Sequence, residues 1–365
     1  MLALKSLWTA LSLFYVVESC TEFFIKTKDK NVLVGRTMEF ATDLKSKVVL
    51  KAIGTQEKSS LPPSCGQASP LEWSYKYNVL CLNALKQPVC TDGVNSAGLS
   101  VGVLYLPQYT VYDNVTQHAC SDILSNIQTA NFILATYNST QQLRNDLNGN
   151  IFSKVFDMEF LGAYYPLHYT VTDSSGDALV LEYTKDGRKA HDNTIGVTTN
   201  SPPYDFHIMN IKNYVTLSKF SSKNLRFGDV VFTPAGIGSG LLGVPGDFTP
   251  PSRFIRMASL LHFSNQPNTT DEALKLTYHL LNTVDIPKGA AQVEVEPEEG
   301  HYDYTQWVVM KDLKNQVIYL RFYDDFTFKT FDLKTMKPLT SGVVSCFQSS
   351  LTRIFIVFFL VIALF

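Results

Sequence analysis

Residues 20–40 read CTEFFIKTKDKNVLVGRTMEF. Two β-prone runs flank the polar letters KDKN, and this pattern predicts a β-hairpin. With a two-residue loop at the centre of the turn, Glu39 lies opposite Cys20 and Arg36 lies opposite Phe23. The stretch therefore predicts that a carboxylate and a guanidinium return to the cysteine that opens the first strand.

A cysteine has a chemical advantage when it is the first residue of a mature protein. Its α-amine has a pKa of about 8 and lies within reach of the thiol, so one residue supplies both nucleophile and base. Such a pair can attack an amide carbonyl and then return the proton to the departing amine. The alternative for Cys20 is a structural cysteine held in a disulfide.

The N-terminal segment 1–19 has the pattern of a secretory signal peptide: Lys5, then an apolar run over 7–17, then small residues before the end. Cleavage after Ser19 would make Cys20 the first residue. The alternative is a membrane anchor, but a spanning helix needs about 20 apolar residues. We therefore expect removal of 1–19.

The C-terminal segment 336–365 resembles a lipid-attachment signal. Ser341 and Gly342 precede a polar stretch at 345–353, and the chain ends in IFIVFFLVIALF over 354–365. A small-residue site, a spacer and an apolar tail predict a glycosylphosphatidylinositol anchor, with a core strand or a tail anchor as alternatives. The remaining chain, 20–335, is expected to form one catalytic domain.

The interior of the chain agrees with secretion. Glycosylation acceptor tripeptides begin at Asn114, Asn138 and Asn268. An oxidising compartment favours two disulfides, and three connectivities are open for the four cysteines that remain after both ends are set aside. Those cysteines are Cys65, Cys81, Cys90 and Cys120. The expected location is extracellular or at the cell surface, and a lysosome-like compartment is left open. Whether the protein forms a homo-oligomer is also left open.

Composition excludes several classes of function. The chain has 365 residues with 45% hydrophobic and 12% aromatic content, enough for a large core, and its net charge of −2 gives no basic surface for nucleic acid. No CxxC or HxH spacing starts a metal site, and we expect no cofactor. The glycine-rich stretch 236–246 lacks the ending of a phosphate loop, so it is interpreted as a turn-rich loop.

The secondary-structure pattern predicts an α+β domain. Antiparallel hairpins are expected at 168–183 and 304–323 in addition to the first one, and residues 55–72 are expected to form a surface loop. Four helices are expected without regular βαβ alternation. Their ranges are about 118–136, 139–147, 252–264 and 270–283.

Five motifs in order resemble the choloylglycine hydrolase and penicillin V acylase family of N-terminal-nucleophile hydrolases. They begin with Cys20-Thr21 and GRTMEF at 35–40, and the resemblance runs to about residue 330. The other motifs are DGVNSAGLSVG at 92–102, TTNSPPYD at 198–205, GSGLLGVPGD at 238–247 with PSRFIR at 251–256, and YTQW at 304–307. The resemblance implies a four-layer αββα sandwich.

Carried over to this sequence, the resemblance implies a set of six site residues. Cys20 would be the nucleophile with its α-amine as base, Arg36 would lower the pKa of the thiol, and Glu39, where the family usually has Asp, would orient the α-ammonium. Asn200 would donate its amide N–H to the oxyanion, Arg253 matches the remaining site arginine, and the backbone N–H of Tyr105 would complete the oxyanion hole. The alternative for Tyr105 is an aromatic side chain packed at a strand end.

The implied activity is hydrolysis of a non-peptide N-acyl amide through a thioester on Cys20. The substrate class is open between penicillin V-like amides, conjugated bile salts and N-acyl amines or amino acids. With a tyrosine at position 105, the chain resembles the penicillin-acylase-like members of the family, and this resemblance favours an aromatic or fatty acyl group. His207 and His301 are interpreted as structural or peripheral. A solvated acidic loop is the interpretation for Glu294, Glu296, Glu298 and Glu299. The competing hypothesis is a catalytically silent surface protein that binds a ligand or a host partner.

Overall fold

A computed structural model describes residues 19–292 and 302–335. The predicted signal peptide 1–19, apart from its last residue Ser19, and the predicted anchor segment 336–365 therefore lie outside the described residues. His301 and the four glutamates interpreted as a solvated loop also lie outside them.

The described chain forms strands and five α-helices whose bounds follow in chain order. The strands are β1 (Cys20–Lys26), β2 (Val32–Glu39), β3 (Val48–Lys51), β4 (Gln56–Lys58), β5 (Glu72–Ser74), β6 (Val79–Ala84), β7 (Gln87–Asn95), β8 (Leu99–Tyr105), β9 (Ile123–Ser125), β10 (Lys154–Phe156), β11 (Leu167–Asp173), β12 (Ala178–Thr184), β13 (Gly187–Asp192), β14 (Val197–Thr198), β15 (Leu225–Phe227), β16 (Val230–Phe232), β17 (Ala291–Gln292), β18 (Tyr302–Asp303), β19 (Thr305–Asp312), β20 (Val317–Phe322) and β21 (Lys329–Asp332). The helices are α1 (Thr129–Thr136), α2 (Thr140–Asn148), α3 (Tyr204–Asn210), α4 (Pro250–Phe263) and α5 (Thr270–Leu281).

Two antiparallel sheets form the centre of the molecule. One has the strand order β14-β1-β2-β19-β20-β21, and the other has the order β13-β12-β11-β8-β7-β6-β3. Helices α1 and α2 cover the second sheet, and α4 and α5 cover the first, with α3 against α4. The predicted α+β class and four-layer αββα sandwich are confirmed.

The buried apolar residues form three layers that match this order. The layer between the sheets contains Val34, Leu80 and Val309, and the two outer layers lie between each sheet and its helices. Because side chains alternate along a strand, even-numbered residues of β1 face the other sheet while Phe23 and Ile25 face the helices. This alternation places Cys20 in the layer between the sheets.

The first hairpin exists, but its predicted register is wrong by one residue. Cys20 pairs with Met38 and Arg36 pairs with Glu22. The turn is a wider loop, 27–31, in which the Asn31 backbone N–H donates to the Thr27 hydroxyl at 2.8 Å. That loop replaces the expected two-residue turn, so Glu39 lies on the face opposite to the one that carries Cys20.

The disulfides and the first helical segment qualify the other sequence predictions. Cys65 forms a disulfide with Cys120, and Cys81 of β6 forms one with Cys90 of β7. Of the three possible connectivities of these four cysteines, this one is formed and the other two are excluded. The helix expected over 118–136 begins only at α1, because the backbone before it pairs as β9 with β10. The other three helices lie within two residues of their expected ranges.

The two segments that the sequence predicts to be loops, 55–72 and 236–246, contain little regular secondary structure. Residues 55–72 contain part of the short pair β4 and β5, with most side chains exposed or half-buried, and 236–246 contains only a short 3-10 turn. In the part of the chain that the structure describes, no helix combines the length and apolarity needed to cross a bilayer.

Candidate active site

Cys20 occupies the first position of β1, which has hydrogen-bonded neighbours β14 and β2 on its two sides. The residue is 2% exposed, and its Sγ lies 3.6 Å from Sδ of Met38, its partner across the hairpin. Burial raises the pKa of the Cys20 thiol, and the nearby Arg36 acts in the opposite direction. The thiol is therefore buried beside one fixed cation.

Arg36 lies on the same face as Cys20 and is held by backbone oxygens. Its Nη2 lies 3.6 Å from the Cys20 Sγ and also donates to the Val103 carbonyl, while Nη1 donates to the Thr91 carbonyl at 2.6 Å. Nη1 also forms a buried ion pair with Asp92 at 3.1 Å. These contacts fix the guanidinium beside the thiol, as the resemblance implied.

Asp92 and Lys311 extend this contact into a buried charge network. Lys311 Nζ lies 2.9 Å from Asp92 Oδ2 and 3.4 Å from Glu22 Oε2, and Glu22 is the cross-strand partner of Arg36. The two cations thus face two carboxylates between the sheets. Sequence reasoning missed this network, although a lysine that directly follows the apolar run 307–310 in β19 was a signal that could have found it.

Asn200 and Arg253 surround the backbone of Cys20. The Cys20 nitrogen donates to Asn200 Oδ1 at 2.5 Å, and Arg253 Nη2 donates to the same oxygen at 3.0 Å. Arg253 Nη1 donates to the Cys20 carbonyl and to the Thr21 hydroxyl, both at 2.6 Å. In the described chain this nitrogen is the peptide nitrogen that follows Ser19, and it stands where an α-amine would be after cleavage.

Glu39 lies on the helix-facing side of β2, as the corrected register requires. Its carboxylate accepts hydrogen bonds from the hydroxyls of Thr305 at 2.6 Å and Thr37 at 3.1 Å. Burial raises the pKa of Glu39 to about 8, and the nearby Arg253 opposes that shift. The carboxylate therefore belongs to the Arg253 side of Cys20 and does not face the thiol across the hairpin.

Tyr105 ends β8 and lines an apolar cleft. Its carbonyl accepts a hydrogen bond from Asn200 Nδ2 at 3.0 Å, and its ring contacts Phe40 and Tyr165 edge to face at centroid distances of 5.8 and 6.1 Å. The ring packs at a strand end, as the alternative interpretation expected. The contact with Asn200 is made by the Tyr105 carbonyl, and the role of the Tyr105 N–H in an oxyanion hole stays a prediction.

The cleft has about 620 Å³ of free space, part of it open to solvent, with Cys20 in its wall. Its lining is almost entirely apolar, and the contacts of Phe40, Tyr105, Phe160 and Tyr165 make one side aromatic. A substrate group that enters this cleft would meet hydrocarbon and ring surfaces next to the thiol.

His207 supports Asn200 and is not placed to act as a base. Its Nε2 lies 2.8 Å from the Asn200 carbonyl oxygen, and its ring stacks on Phe254 at 4.7 Å. Burial lowers the pKa of His207 to about 4, so the ring is neutral at physiological pH. Within residues 19–292 and 302–335, no three His, Cys, Asp or Glu side chains group as metal ligands.

Comparisons with known proteins point to one family. A model of the choloylglycine hydrolase family of linear amide C–N hydrolases matches residues 20–343. A bile salt hydrolase/transferase of Clostridium perfringens is 30% identical over 327 residues, covering 86% of this chain and 92% of that protein. A penicillin V acylase of Pectobacterium atrosepticum is 28% identical over 180 residues, covering 47% of this chain and 46% of the acylase.

Solved structures agree with the sequence comparisons. A conjugated bile acid hydrolase of Clostridium perfringens has a TM-score of 0.76 and 27% identity, covering 87% of this chain and 93% of its own. A penicillin V acylase of Agrobacterium tumefaciens, 20% identical, has a TM-score of 0.68 with 87% of each chain covered, which shows the shared fold. The resemblance drawn from the motifs is confirmed, and the chain belongs to the choloylglycine hydrolase family of linear amide C–N hydrolases.

Proposed function

We propose that the chain hydrolyses a non-peptide N-acyl amide through a thioester on Cys20, with the Cys20 α-amine as base after removal of residues 1–19. The amine takes the thiol proton, and Sγ attacks the carbonyl carbon to form a tetrahedral intermediate. When the carbon–nitrogen bond breaks, the leaving nitrogen takes that proton and departs as an amine. Water, deprotonated by the same amine, then cleaves the thioester and releases a carboxylic acid.

The observation that carries this proposal is the position of Cys20 between two sets of contacts. Its Sγ faces Arg36 at 3.6 Å and borders the cleft, while its nitrogen donates to Asn200. An amide nitrogen has two N–H groups, and Asn200 uses one for the Tyr105 carbonyl, so the second is available to an oxyanion. Hydrogen bonds to the oxyanion are worth about 3–4 kcal/mol in acyl transfer.

We propose an apolar acyl group, because the cleft that borders Cys20 is lined by apolar and aromatic residues. A carboxylate or sugar placed there would lose hydration without gaining partners. The amine portion would leave toward the polar side of the site, where Asn200 and Arg253 lie. Aromatic, fatty and steroid acyl groups all meet the apolar requirement, and the choice among them is taken up in the Discussion.

The deciding experiment combines N-terminal sequencing of the mature protein with a Cys20→Ala variant. We expect Cys20 as the first residue, and we expect Cys20→Ala to reduce hydrolysis of an acyl-amide panel by at least about 10³-fold. Circular dichroism and melting should stay close to those of the parent. Cys20→Ser is a second test of the nucleophile and should be severely impaired, because an alcohol is far less acidic than a thiol. Substantial turnover by Cys20→Ala would refute the mechanism.

We also propose that the protein enters the secretory pathway, that residues 336–365 direct a lipid anchor, and that copies self-associate. Support for the first two comes from the sequence patterns at the two ends, and self-association stays a prediction. Deleting residues 354–365 should release the protein into the medium of expressing cells. Membrane association that resists a phosphatidylinositol-specific phospholipase would contradict the anchor.

A further inference from the structure

A surplus of buried carboxyl groups lies on the Arg253 side of Cys20. Arg253 faces two carboxyl groups, Glu39 and Asp303. Burial raises the pKa of Glu39 to about 8 and that of Asp303 to about 7, in spite of the lowering effect of Arg253 on each. By contrast, on the thiol side the cations Arg36 and Lys311 face two carboxylates. With both carboxyl groups ionised, the Arg253 side is short of one positive charge, and the raised pKa values reflect that shortage.

Asp303 is the member of this group that lacks partners. It is 4% exposed, and neither of its oxygens accepts a hydrogen bond of normal geometry from the described residues. Glu39 differs, because both of its oxygens accept hydrogen bonds from threonine hydroxyls. A buried carboxylate with weak donors is costly, and close to Asp303 the described chain supplies only the Ser19 hydroxyl, so the retention of Asp303 calls for a stronger donor.

Ser19 occupies the position beside Asp303 at which a stronger donor would become available. The residue is 2% exposed, and its side chain lies against the Asp303 carboxyl group. Ser19 is joined directly to the Cys20 nitrogen, which already donates to Asn200. Removing Ser19 would empty the space beside Asp303 and would convert this nitrogen into an ammonium group with three N–H donors. One donor can keep its bond to Asn200, and the others point into the emptied space.

We propose that Asp303 is a positioning residue that receives the α-ammonium of Cys20 once Ser19 has been removed. This inference rests on the proposed function, because it needs Cys20 to be the first residue. The ammonium supplies the missing cation of the Arg253 side, and the Asp303 carboxylate supplies the missing acceptor. Asp303 thereby takes over the role that the resemblance assigned to Glu39, whose oxygens are already engaged.

The groups that face the new amine set the direction of the effect. Glu39 and Asp303 stabilise its protonated form, Arg253 and Arg36 oppose it, and the Asn200 side-chain oxygen accepts one N–H. An opposite charge within about 4–6 Å changes a pKa by about 1–3 units. Removing the Asp303 charge should therefore make the ammonium lose its proton at lower pH.

The test is an Asp303→Asn variant of the mature protein, studied by the pH dependence of kcat/KM. We expect the acidic limb, which reports loss of the ammonium proton, to move down by about one pH unit. Asp303→Glu should keep the limb near its parent position. Asp312→Asn is the matched control: this buried carboxylate lies at the far end of β19 and accepts from Asn31 and Asn315, so the limb should not move.

A crystal structure of the mature protein gives a second readout that does not depend on the folding of any variant. We expect the Cys20 nitrogen within hydrogen-bond distance of an Asp303 oxygen. An unmoved acidic limb in folded Asp303→Asn, or an amine bound to Glu39 alone, would overturn the inference while the Cys20 mechanism stands. A mature chain that does not begin at Cys20 would instead refute the proposed function itself.

Discussion

Tyr105 is the residue at which the proposed chemistry of the site meets its proposed choice of substrate. Its backbone carbonyl holds Asn200, and its ring forms part of the aromatic side of the cleft. A tyrosine ring offers apolar surface near the scissile carbonyl, whereas an asparagine at the same position would offer hydrogen bonds. The backbone contact is independent of the side chain, so the two roles can be separated by substitution.

We expect the parent enzyme to cleave a phenoxyacetyl or medium-chain acyl amide faster than a glycine-conjugated bile salt. Tyr105→Asn should narrow this gap, because one pocket contact is worth about 1–3 kcal/mol, or roughly 10–200-fold in kcat/KM. The measurement is kcat/KM for both substrate classes with each protein. Tyr109→Asn, at an exposed tyrosine outside the cleft lining, should leave the ratio unchanged. Equal or faster bile-salt cleavage by the parent would contradict this expectation.

The residue types of the site were accessible from the sequence, but several of their partners were not. Cys20, Arg36 and Asn200 belong to motifs that can be matched one by one along the chain. Lys311 approaches Asp92 from 219 positions away, and no local pattern encodes such a pairing. Asp303 is visible as important only once its burial and lack of donors are known.

At the scale of elements, the first hairpin illustrates what patterning can and cannot determine. The alternation of β-prone residues predicted both strands to within one residue at each end. The register depends instead on side-chain bonds inside the turn, such as the one from the Asn31 backbone to Thr27. Since side chains alternate, a shift of one position exchanges the faces of a whole strand, and Glu39 was misplaced for this reason.

The contact between the two sheets gives a prediction at this scale. A Cβ at Gly102 in β8 would overlap Oε2 of Glu22 in β1, and Glu22 is already bonded to Lys311 and to the Thr170 hydroxyl. We expect Gly102→Ala to reduce the free energy of unfolding by about 1–3 kcal/mol, as overpacked cores do. Denaturant unfolding at neutral pH measures it.

The matched control for this variant is Gly246→Ala. Gly246 lies in the loop before α4, and an added Cβ there would meet nothing within 4 Å. Its unfolding midpoint should stay within error of the parent. If Gly102→Ala were as stable as Gly246→Ala, the close approach of β8 and β1 would be contradicted.

Across the whole molecule, charge is distributed unequally around Cys20. The thiol side pairs Arg36 and Lys311 with two carboxylates, whereas the other side has Glu39 and Asp303 against Arg253. A carboxyl group whose pKa is raised by folding binds its proton more tightly in the folded state. Its contribution to stability is therefore complete at low pH and is lost as the pH rises through the folded pKa.

We expect the chain that retains Ser19 to lose stability between about pH 6.5 and pH 8.5. The pKa of Glu39 is about 8 in the folded state and 4.5 in the unfolded state, so its contribution to stability falls until about pH 8. The pKa of Asp303 is about 7 in the folded state, so its contribution to stability falls until about pH 7. At about 1.4 kcal/mol per unit, Glu39 and Asp303 together account for a loss of about 3 kcal/mol, or several degrees in Tm. Calorimetry across the window measures it.

The double variant Glu39→Gln, Asp303→Asn should flatten this dependence. His207 does not affect this window. Folding lowers its pKa from 6.5 to about 4, so it makes stability rise with pH between about 4 and 6.5 and has no effect above that range. A parent Tm that holds steady or rises toward pH 8.5 would speak against the surplus of negative charge.

The burial of Ser19 has a practical consequence for producing the protein. Ser19 is 2% exposed and lies against Asp303, so any residue attached directly before Cys20 takes that buried position. A start methionine or a linker remnant at that position would occupy the same enclosed space and would cap the nitrogen as an amide. Purification handles therefore belong in place of residues 354–365, and a recombinant preparation should be checked by intact mass, because under the proposed mechanism a residue left before Cys20 blocks the amine that acts as base.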